Sequence, residues 1–143
     1  MINLDNHIYP IGVVAKILQV SVQTLHLYER EGLILSRKTD AGHRIYNEED
    51  IERLRCIRRL IEDEGLNLQG IKKLMSMLPC WIINENCKSD DYKTCPAYTE
   101  LKAPCWALPE KPSICQVADC YVCPVYQSPV ECKKIKEYLH QIK

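Results

Sequence analysis

Apolar residues in the first half of the chain recur every three or four positions, which is the spacing of amphipathic helices. A short first helix is predicted after Pro10, and its apolar face is formed by Ile11, Val14, Ala15 and Leu18. A second helix should begin after Ser21, a favourable N-cap, and end at Gly32, which suits the left-handed position after a helix. Two short helices joined by a tight turn form a helix-turn-helix arrangement.

The pattern changes from helical to extended after Gly32. Residues 33–35 and 44–46 flank a polar bend, and Gly42 lies near the tip of that bend. Apolar runs separated by a polar bend that contains glycine are typical of a hairpin. We therefore predict a small two-stranded wing directly after the second helix.

Helical spacing returns after the wing. Asn47 is an N-cap residue followed by three acidic residues, which favour the first turn of a helix. This third helix should end near Gly65, and a fourth should run from about Leu68 to Leu78, capped by Asn67. The fourth helix keeps its apolar residues on one side, namely Ile71, Leu74 and Met75.

The composition changes abruptly near residue 79. All 5 glycines precede this point, whereas seven of the 8 prolines, eight of the 9 cysteines and both tryptophans follow it. So short and proline-broken a segment buries too little apolar surface to fold without a cross-link by metal or disulfide. We divide the chain into residues 1–78, 79–127 and 128–143. The predicted fold class is mainly α: a winged helix-turn-helix, a small loop-dominated Cys-rich module and a C-terminal helix.

The Cys-rich module, residues 79–127, contains nearly the same motif twice. The first copy is Pro79-Cys80-Trp81, Cys87 and Cys95-Pro96-Ala97-Tyr98, and the second is Pro104-Cys105-Trp106, Cys115, Cys120 and Cys123-Pro124-Val125-Tyr126. Converging thiolates bind zinc or an iron–sulfur cluster. The candidate ligands are Cys80, Cys87, Cys95, Cys105, Cys115, Cys120, Cys123 and Cys132.

The spacing of these cysteines leaves the bound group open. One close pair, Cys120 and Cys123, has the CxxC spacing of a zinc knuckle, where two such pairs are common. The pairs Cys95-Pro96 and Cys123-Pro124 resemble cluster ligands followed by proline, which favours iron–sulfur slightly over zinc. Disulfides and free thiols stay as alternatives, although dense cysteines in a reducing compartment more often bind metal.

Four aromatic residues recur at matching positions of the two copies: Trp81, Tyr98, Trp106 and Tyr126. We expect them to fill a small core that shields the sulfurs. The alternative is stacking on single-stranded nucleic acid, but the segment lacks the basic groove that such binding uses.

The last residues predict one more helix. Ser128, Pro129 and Glu131 combine an N-cap, a proline at the first helical position and a capping-box glutamate, so the helix should run to about Gln141. Its apolar stripe must bury against either the Cys-rich module or a partner subunit, and we expect it to supply dimer contacts. Cys132 lies in its first turn, where the helix dipole can lower the pKa of a thiol.

Charge and motifs exclude several classes of protein. The 19 basic residues balance the 19 acidic ones, which counts mildly against nucleic-acid binding unless positive charge is concentrated on one face. The N-terminus lacks a secretory pattern and Lys16 interrupts the apolar run from 11 to 22, so we expect a cytoplasmic protein without a membrane partner. No nucleophile with a base, phosphate loop or cofactor fingerprint indicates an enzyme.

Three segments resemble the DNA-binding domain of the MerR family: TLHLYEREGLI from Thr24, HRIY from His43 and EEDIERLRCIRRL from Glu48. YPIGVVAKIL and EGLNLQGIKKLM, at the two ends of this region, are similar to the heat-shock repressor branch. The resemblance covers about residues 8–78. It implies a homodimer on an inverted-repeat operator of double-stranded DNA, with the second helix in the major groove and the wing against the backbone.

The same resemblance assigns roles to individual residues. On or beside the recognition helix it places Ser21, Gln23, Thr24, His26, Leu27, Tyr28 and Arg30, and on phosphate-binding positions of the wing it places Arg37, Arg44 and Tyr46. Where this chain has His26 the family usually has arginine, which implies a weaker and pH-sensitive donor. The plainer interpretation of His26 is an exposed residue that touches only solvent.

Residues of the third helix have ordinary interpretations. Its basic residues should form a solvated face rather than DNA contacts, with Glu49–Arg53 and Arg58–Glu62 as helix-spaced pairs. The solvated set is Arg53, Arg55, Arg58 and Arg59. Cys56 should be a buried structural thiol.

The sequence therefore predicts a DNA-binding transcriptional regulator whose Cys-rich module binds a metal or an iron–sulfur cluster and modulates operator binding. The alternative is a regulator whose module holds structural zinc constitutively and recruits a protein partner. Tightly held zinc and binding indifferent to redox state would favour that alternative.

Overall fold

The structure is a computed structural model that describes residues 7–77, 93, 95–99, 104–108, 120 and 123–127. Within residues 7–77 the helices are α1 (Ile11–Leu18), α2 (Val22–Arg30), α3 (Glu48–Glu62) and α4 (Leu68–Ser76). The strands β1 (Tyr9–Pro10), β2 (Arg37–Lys38) and β3 (Arg44–Tyr46) form an antiparallel sheet in the order β1-β3-β2. The mainly α, winged helix-turn-helix prediction is confirmed.

The turn between α1 and α2 is built by two backbone signals. Gln19 adopts a left-handed conformation with φ of 56°, and its amide donates to the carbonyls at the end of α1. Ser21 then caps α2 by accepting a hydrogen bond from the Thr24 amide at 3.1 Å. The helices are consequently bent by 102° relative to each other, within the range of helix-turn-helix units.

The wing is shorter than predicted and begins later. Residues 33–35 were expected as its first strand, but that strand is Arg37–Lys38, which pairs with Arg44 and Ile45. Leu33 and Ile34 are instead buried in the core, so their apolar character reflects burial on all sides rather than a strand. At the tip the Gly42 amide donates to Thr39 O at 2.8 Å, and Gly42 has a positive φ of 84°.

Helices α3 and α4 begin where their caps predict. Asn47 and Asp50 form a reciprocal capping box at the start of α3, and Asn67 accepts a hydrogen bond from the Gly70 amide at the start of α4. Ile71 and Met75 are buried as expected, whereas Leu74 is exposed, because it lies at the edge of the buried face.

The described parts of the Cys-rich module are short helical turns. They are α5 (Pro96–Thr99), a 3₁₀ helix at Cys105–Ala107 and α6 (Pro124–Gln127). Both Cys-Pro pairs begin a helix, and the carbonyls of Cys95 and Cys123 accept the first helical hydrogen bonds at 3.0 and 3.1 Å. The two copies thus share local structure. The predicted helix at 128–141 lies outside the described residues.

One core joins the two halves of the chain. The buried cluster formed by α1 to α4 also contains Trp106, Cys123, Val125 and Tyr126. Trp106 and Tyr126 were expected to fill a small core that shields the sulfurs. They lie in a core shared with the helix-turn-helix half, and Cys105, Cys120 and Cys123 pack in or against the same core. Tyr98 is exposed, and Trp81 lies outside the described residues.

Among the described residues, no single helix has the length and apolar character needed to cross a membrane. The bent pair of α1 and α2 passes that test only when the two helices are counted together.

Candidate nucleic-acid interface

Helix α2 divides into a buried face and a polar face. Leu25 and Tyr28 are buried, whereas Ser21, Gln23 and Arg30 are exposed. Thr24 and His26 are partly exposed between them, and the Ser21 and Thr24 hydroxyls are 2.9 Å apart. The polar face therefore presents hydroxyl, amide, imidazole and guanidinium groups, which are the side-chain types that bind base edges and phosphates.

The wing is attached to α2 by an ion pair. Arg44 donates from its Nε to Glu29 Oε2 at 2.6 Å and from a terminal nitrogen to Oε1 at 3.3 Å. Partial burial opposes ionisation of Glu29, but hydrogen bonds from Arg44 and Ser36 and the Arg44 charge outweigh it and hold the pKa below its ordinary value. The guanidinium of Arg44 is thus engaged, so contact with a phosphate would require it to share or leave Glu29.

Two residues that the resemblance placed at the interface lie in the core. Tyr28 and Tyr46 are only 2% and 1% exposed. Tyr28 accepts a hydrogen bond from Arg58 at 3.5 Å, which raises the pKa of Arg58. Burial, with the nearby Glu29 charge, raises the pKa of Tyr46 to about 12. Both side chains therefore lie in the core rather than on the exposed surface of α2 and the wing.

The arginines of α3 do not form one solvated face. Arg55 pairs with Glu52, and Arg58 pairs with Glu62 as predicted. Arg59 is exposed. Arg53 is instead 1% exposed, so the prediction of a solvated Arg53 paired with Glu49 was wrong about its burial. Its position in α3 faces the core between Asp50 and Ile57, one helical turn to each side, which are also buried.

Arg53 forms a polar and aromatic cluster that the sequence did not reveal. Its Nε donates to Leu33 O at 2.8 Å, and a terminal nitrogen donates to Tyr126 O. The guanidinium carbon lies 3.8 Å from the Tyr126 ring centroid and 5.0 Å from that of Trp106. The cluster therefore joins α3, the segment after α2 and the second copy of the Cys-rich motif.

The cysteines predicted as ligands are only partly described. Cys95 and Cys123 are buried, Cys105 and Cys120 are half-buried, and none of the four is in a disulfide. Among the described residues, no group of three or more Cys, His, Asp or Glu side chains is arranged to hold a metal ion. Cys80, Cys87, Cys115 and Cys132 lie outside the described residues, and metal binding stays a prediction.

Cys56 differs from its prediction in one respect. Its side chain is buried in α3, as expected, with 5% exposure. It is however disulfide-bonded rather than a thiol. The apolar periodicity around Cys56 predicted that its sulfur is buried, but this pattern contains no information about the oxidation state of the sulfur.

Comparison with known proteins decides the family of this half. A family model described as MerR HTH family regulatory protein matches residues 9–78. Residues 9–78 are a MerR-family helix-turn-helix domain. Within this domain α2 is the second helix of the helix-turn-helix, and the hairpin of β2 and β3 is the wing.

The curated relatives support the same assignment. Over 73 residues this chain is 40% identical to the putative heat shock protein HspR of Streptomyces coelicolor, covering 51% of this chain and 48% of that protein. It is 40% identical over 70 residues to the transcriptional regulator MlrA of Escherichia coli, covering 48% and 28%. GlnR of Bacillus anthracis is 33% identical over 70 residues, covering 49% and 54%. The chain thus spans about half or less of each relative, within the MerR-family domain.

Proposed function

We propose that this protein is a transcriptional regulator that binds double-stranded DNA through its MerR-family domain. The observation that carries the proposal is the exposed polar face of α2, with Ser21, Gln23 and Arg30, beside a wing with basic residues. In the proposed complex α2 reads base edges in the major groove, while Arg37 and Arg44 bind phosphates. Zero net charge describes the whole chain, whereas phosphate contacts depend on the charges at the interface, which here include Arg30, Arg37 and Arg44.

The proposed binding unit is a homodimer on an inverted repeat. Two recognition helices would then enter successive major grooves about 34 Å apart. The C-terminal helix proposed at 128–141 is our candidate for the dimer contact. Sedimentation of a chain that ends at residue 128 tests this assignment, since an unchanged dimer would remove the helix from the interface.

We further propose that the Cys-rich module binds zinc or an iron–sulfur cluster and modulates DNA affinity. The donor set fits such a group in its chemistry, because four described cysteines lie outside disulfides and two of them are buried. Since no described group of three could hold a metal ion, the proposed site also needs ligands outside the described residues. The predicted cysteines there are Cys80, Cys87, Cys115 and Cys132, apart from any that pairs with Cys56. Such a group would cross-link the short helical turns.

A constitutive structural zinc site is the second candidate for the module. The packing of Trp106 and Tyr126 into the core of the helix-turn-helix half favours structural zinc. A module that is fixed in this way would need zinc only for stability and would not change conformation on metal loss or oxidation. Under this alternative, removing zinc destabilises the module, whereas oxidants leave the DNA affinity of the intact protein unchanged.

DNA binding is tested by selection of duplexes from a random library with the full chain. We expect enrichment of an inverted repeat, and we expect Arg30→Ala to weaken binding to the selected duplex about tenfold, as loss of one charged contact of about 1.4 kcal/mol would do. Arg59→Ala is the matched control, since Arg59 is also an exposed helical arginine. No enrichment, or equal effects of the two substitutions, would contradict the proposed interface.

A further inference from the structure

The segment between the recognition helix and the wing is held by two aromatic side chains of the second repeat copy. The Trp106 indole N–H donates to Gly32 O at 2.7 Å. The Leu35 amide donates to the Tyr126 hydroxyl at 2.8 Å. Gly32 and Leu35 each lie one residue inside an end of the 31–36 connection, so this connection is bonded to the Cys-rich module near both ends.

Arg53 completes the contact from the side of α3. It donates to Leu33 O within the same segment and to the backbone of Tyr126, and its guanidinium faces both aromatic rings. Trp106 and Tyr126 also meet edge to face, with ring centroids 5.2 Å apart and an interplanar angle of 86°. We call Arg53, Trp106 and Tyr126 the clamp.

The clamp involves the second copy of the repeat and not the matching tyrosine of the first. Tyr98 and Tyr126 occupy equivalent positions, each in a helical turn that begins at a Cys-Pro pair. Tyr98 is 38% exposed, whereas Tyr126 is 3% exposed and contacts segment 32–35 through Leu35. Two nearly identical motifs therefore have different surroundings, and of these two tyrosines it is Tyr126 that contacts segment 32–35.

The clamp has open space beside it. A groove of about 360 Å³ is lined by residues of α2, segment 32–35, Lys72 and Trp106. The Trp106 ring is consequently packed against the core on one side and bordered by the groove on the other. The groove therefore borders the contact between Trp106 and Gly32.

We propose that Trp106 and Tyr126 are positioning residues for DNA binding, which set the wing relative to the recognition helix. The inference rests on the proposed DNA binding and adds the route by which the Cys-rich module acts on it. Cys105 lies in the same 3₁₀ turn as Trp106, and the backbone carbonyl of Cys123 accepts the hydrogen bond that closes the turn holding Tyr126. We expect a change at either sulfur to move its turn and, through Trp106 or Tyr126, segment 32–35.

The test uses the full chain and its selected duplex, with fluorescence anisotropy measured at several salt concentrations. Trp106→Phe keeps an aromatic ring but removes the donor to Gly32, and Tyr126→Phe removes the acceptor for Leu35. Each is expected to weaken DNA binding about tenfold. Each should also reduce the magnitude of the salt slope by about one, because a displaced wing loses a phosphate contact.

Tyr98→Phe is the matched control and should bind DNA like the wild type. If both clamp variants equal Tyr98→Phe in affinity and salt slope, the proposal is overturned. The proposal is also overturned if thermal unfolding shows a smaller folded fraction of each clamp variant and that folded fraction binds DNA with the wild-type dissociation constant and salt slope. Absence of any duplex binding by the wild type would instead refute the proposed function itself.

Discussion

Arg53→Lys is expected to lower the free energy of unfolding by about 2–4 kcal/mol, because an ammonium group cannot reproduce the two directed hydrogen bonds of the guanidinium. Those bonds go to Leu33 O and Tyr126 O, in a site where the side chain is 1% exposed. Lysine would leave a buried carbonyl without its donor and would also lose the planar stacking on the aromatic rings. Urea unfolding of the wild type and of the Arg53→Lys variant measures this difference in the free energy of unfolding.

Arg55→Lys is the matched control for this change. Arg55 lies in the same helix, two residues further on, but is exposed and pairs with Glu52 at the surface. Its replacement should alter the free energy of unfolding by less than about 0.5 kcal/mol. If Arg53→Lys were equally mild, Arg53 would not carry the contact between α3 and the Cys-rich module.

Gly32→Ala is expected to lower the free energy of unfolding by about 2–4 kcal/mol, for two separate reasons. Gly32 has a φ of 75°, which an L side chain adopts only with strain. A Cβ atom at this position would also lie 2.6 Å from the Cβ of Ala107, well inside van der Waals contact. The substitution would therefore push the 3₁₀ turn that contains Trp106 away from segment 32–35.

The two contributions can be separated by variants of this chain. Gly42→Ala shares the positive φ, 84°, but its Cβ would meet nothing within 4 Å, so it should show only the conformational cost of about 1–2 kcal/mol. Adding Ala107→Gly to Gly32→Ala removes the clashing Cβ atom. The double variant should therefore lose only as much free energy of unfolding as Gly42→Ala does. Equal losses for Gly32→Ala and Gly42→Ala would mean that the module does not pack against Gly32.

Local signals in the sequence were sufficient for most of the helix-turn-helix half. Ser21, Asn47 and Asn67 all cap the helices they were expected to cap, because a cap depends on atoms only three residues away. The first wing strand was misplaced because Leu33 and Ile34 are apolar for a tertiary reason. Their burial depends on surrounding elements, which local periodicity does not report.

The clamp could not be predicted, because its partners are far apart in the chain. Arg53 lies in a helix with acidic neighbours, which is the pattern of an exposed, ion-paired residue. It is a buried donor only because the fold packs the carbonyls of Leu33 and Tyr126 against it. The repeated Cys-Trp and Cys-Pro-x-Tyr motifs did indicate that the aromatic residues have fixed roles. They did not indicate that Tyr98 and Tyr126 lie in different environments.

The most direct test of control by the Cys-rich module is the DNA affinity of one preparation of the full chain, at fixed salt, before and after treatment that removes the proposed metal or iron–sulfur cluster. The protein is purified without oxygen, assayed for iron, zinc and sulfide, and then stripped with a chelator. We expect stoichiometric metal and an affinity change of about tenfold, the scale of coupling between two linked sites. A protein that binds metal but has the same affinity in both states would contradict control of DNA binding by the Cys-rich module.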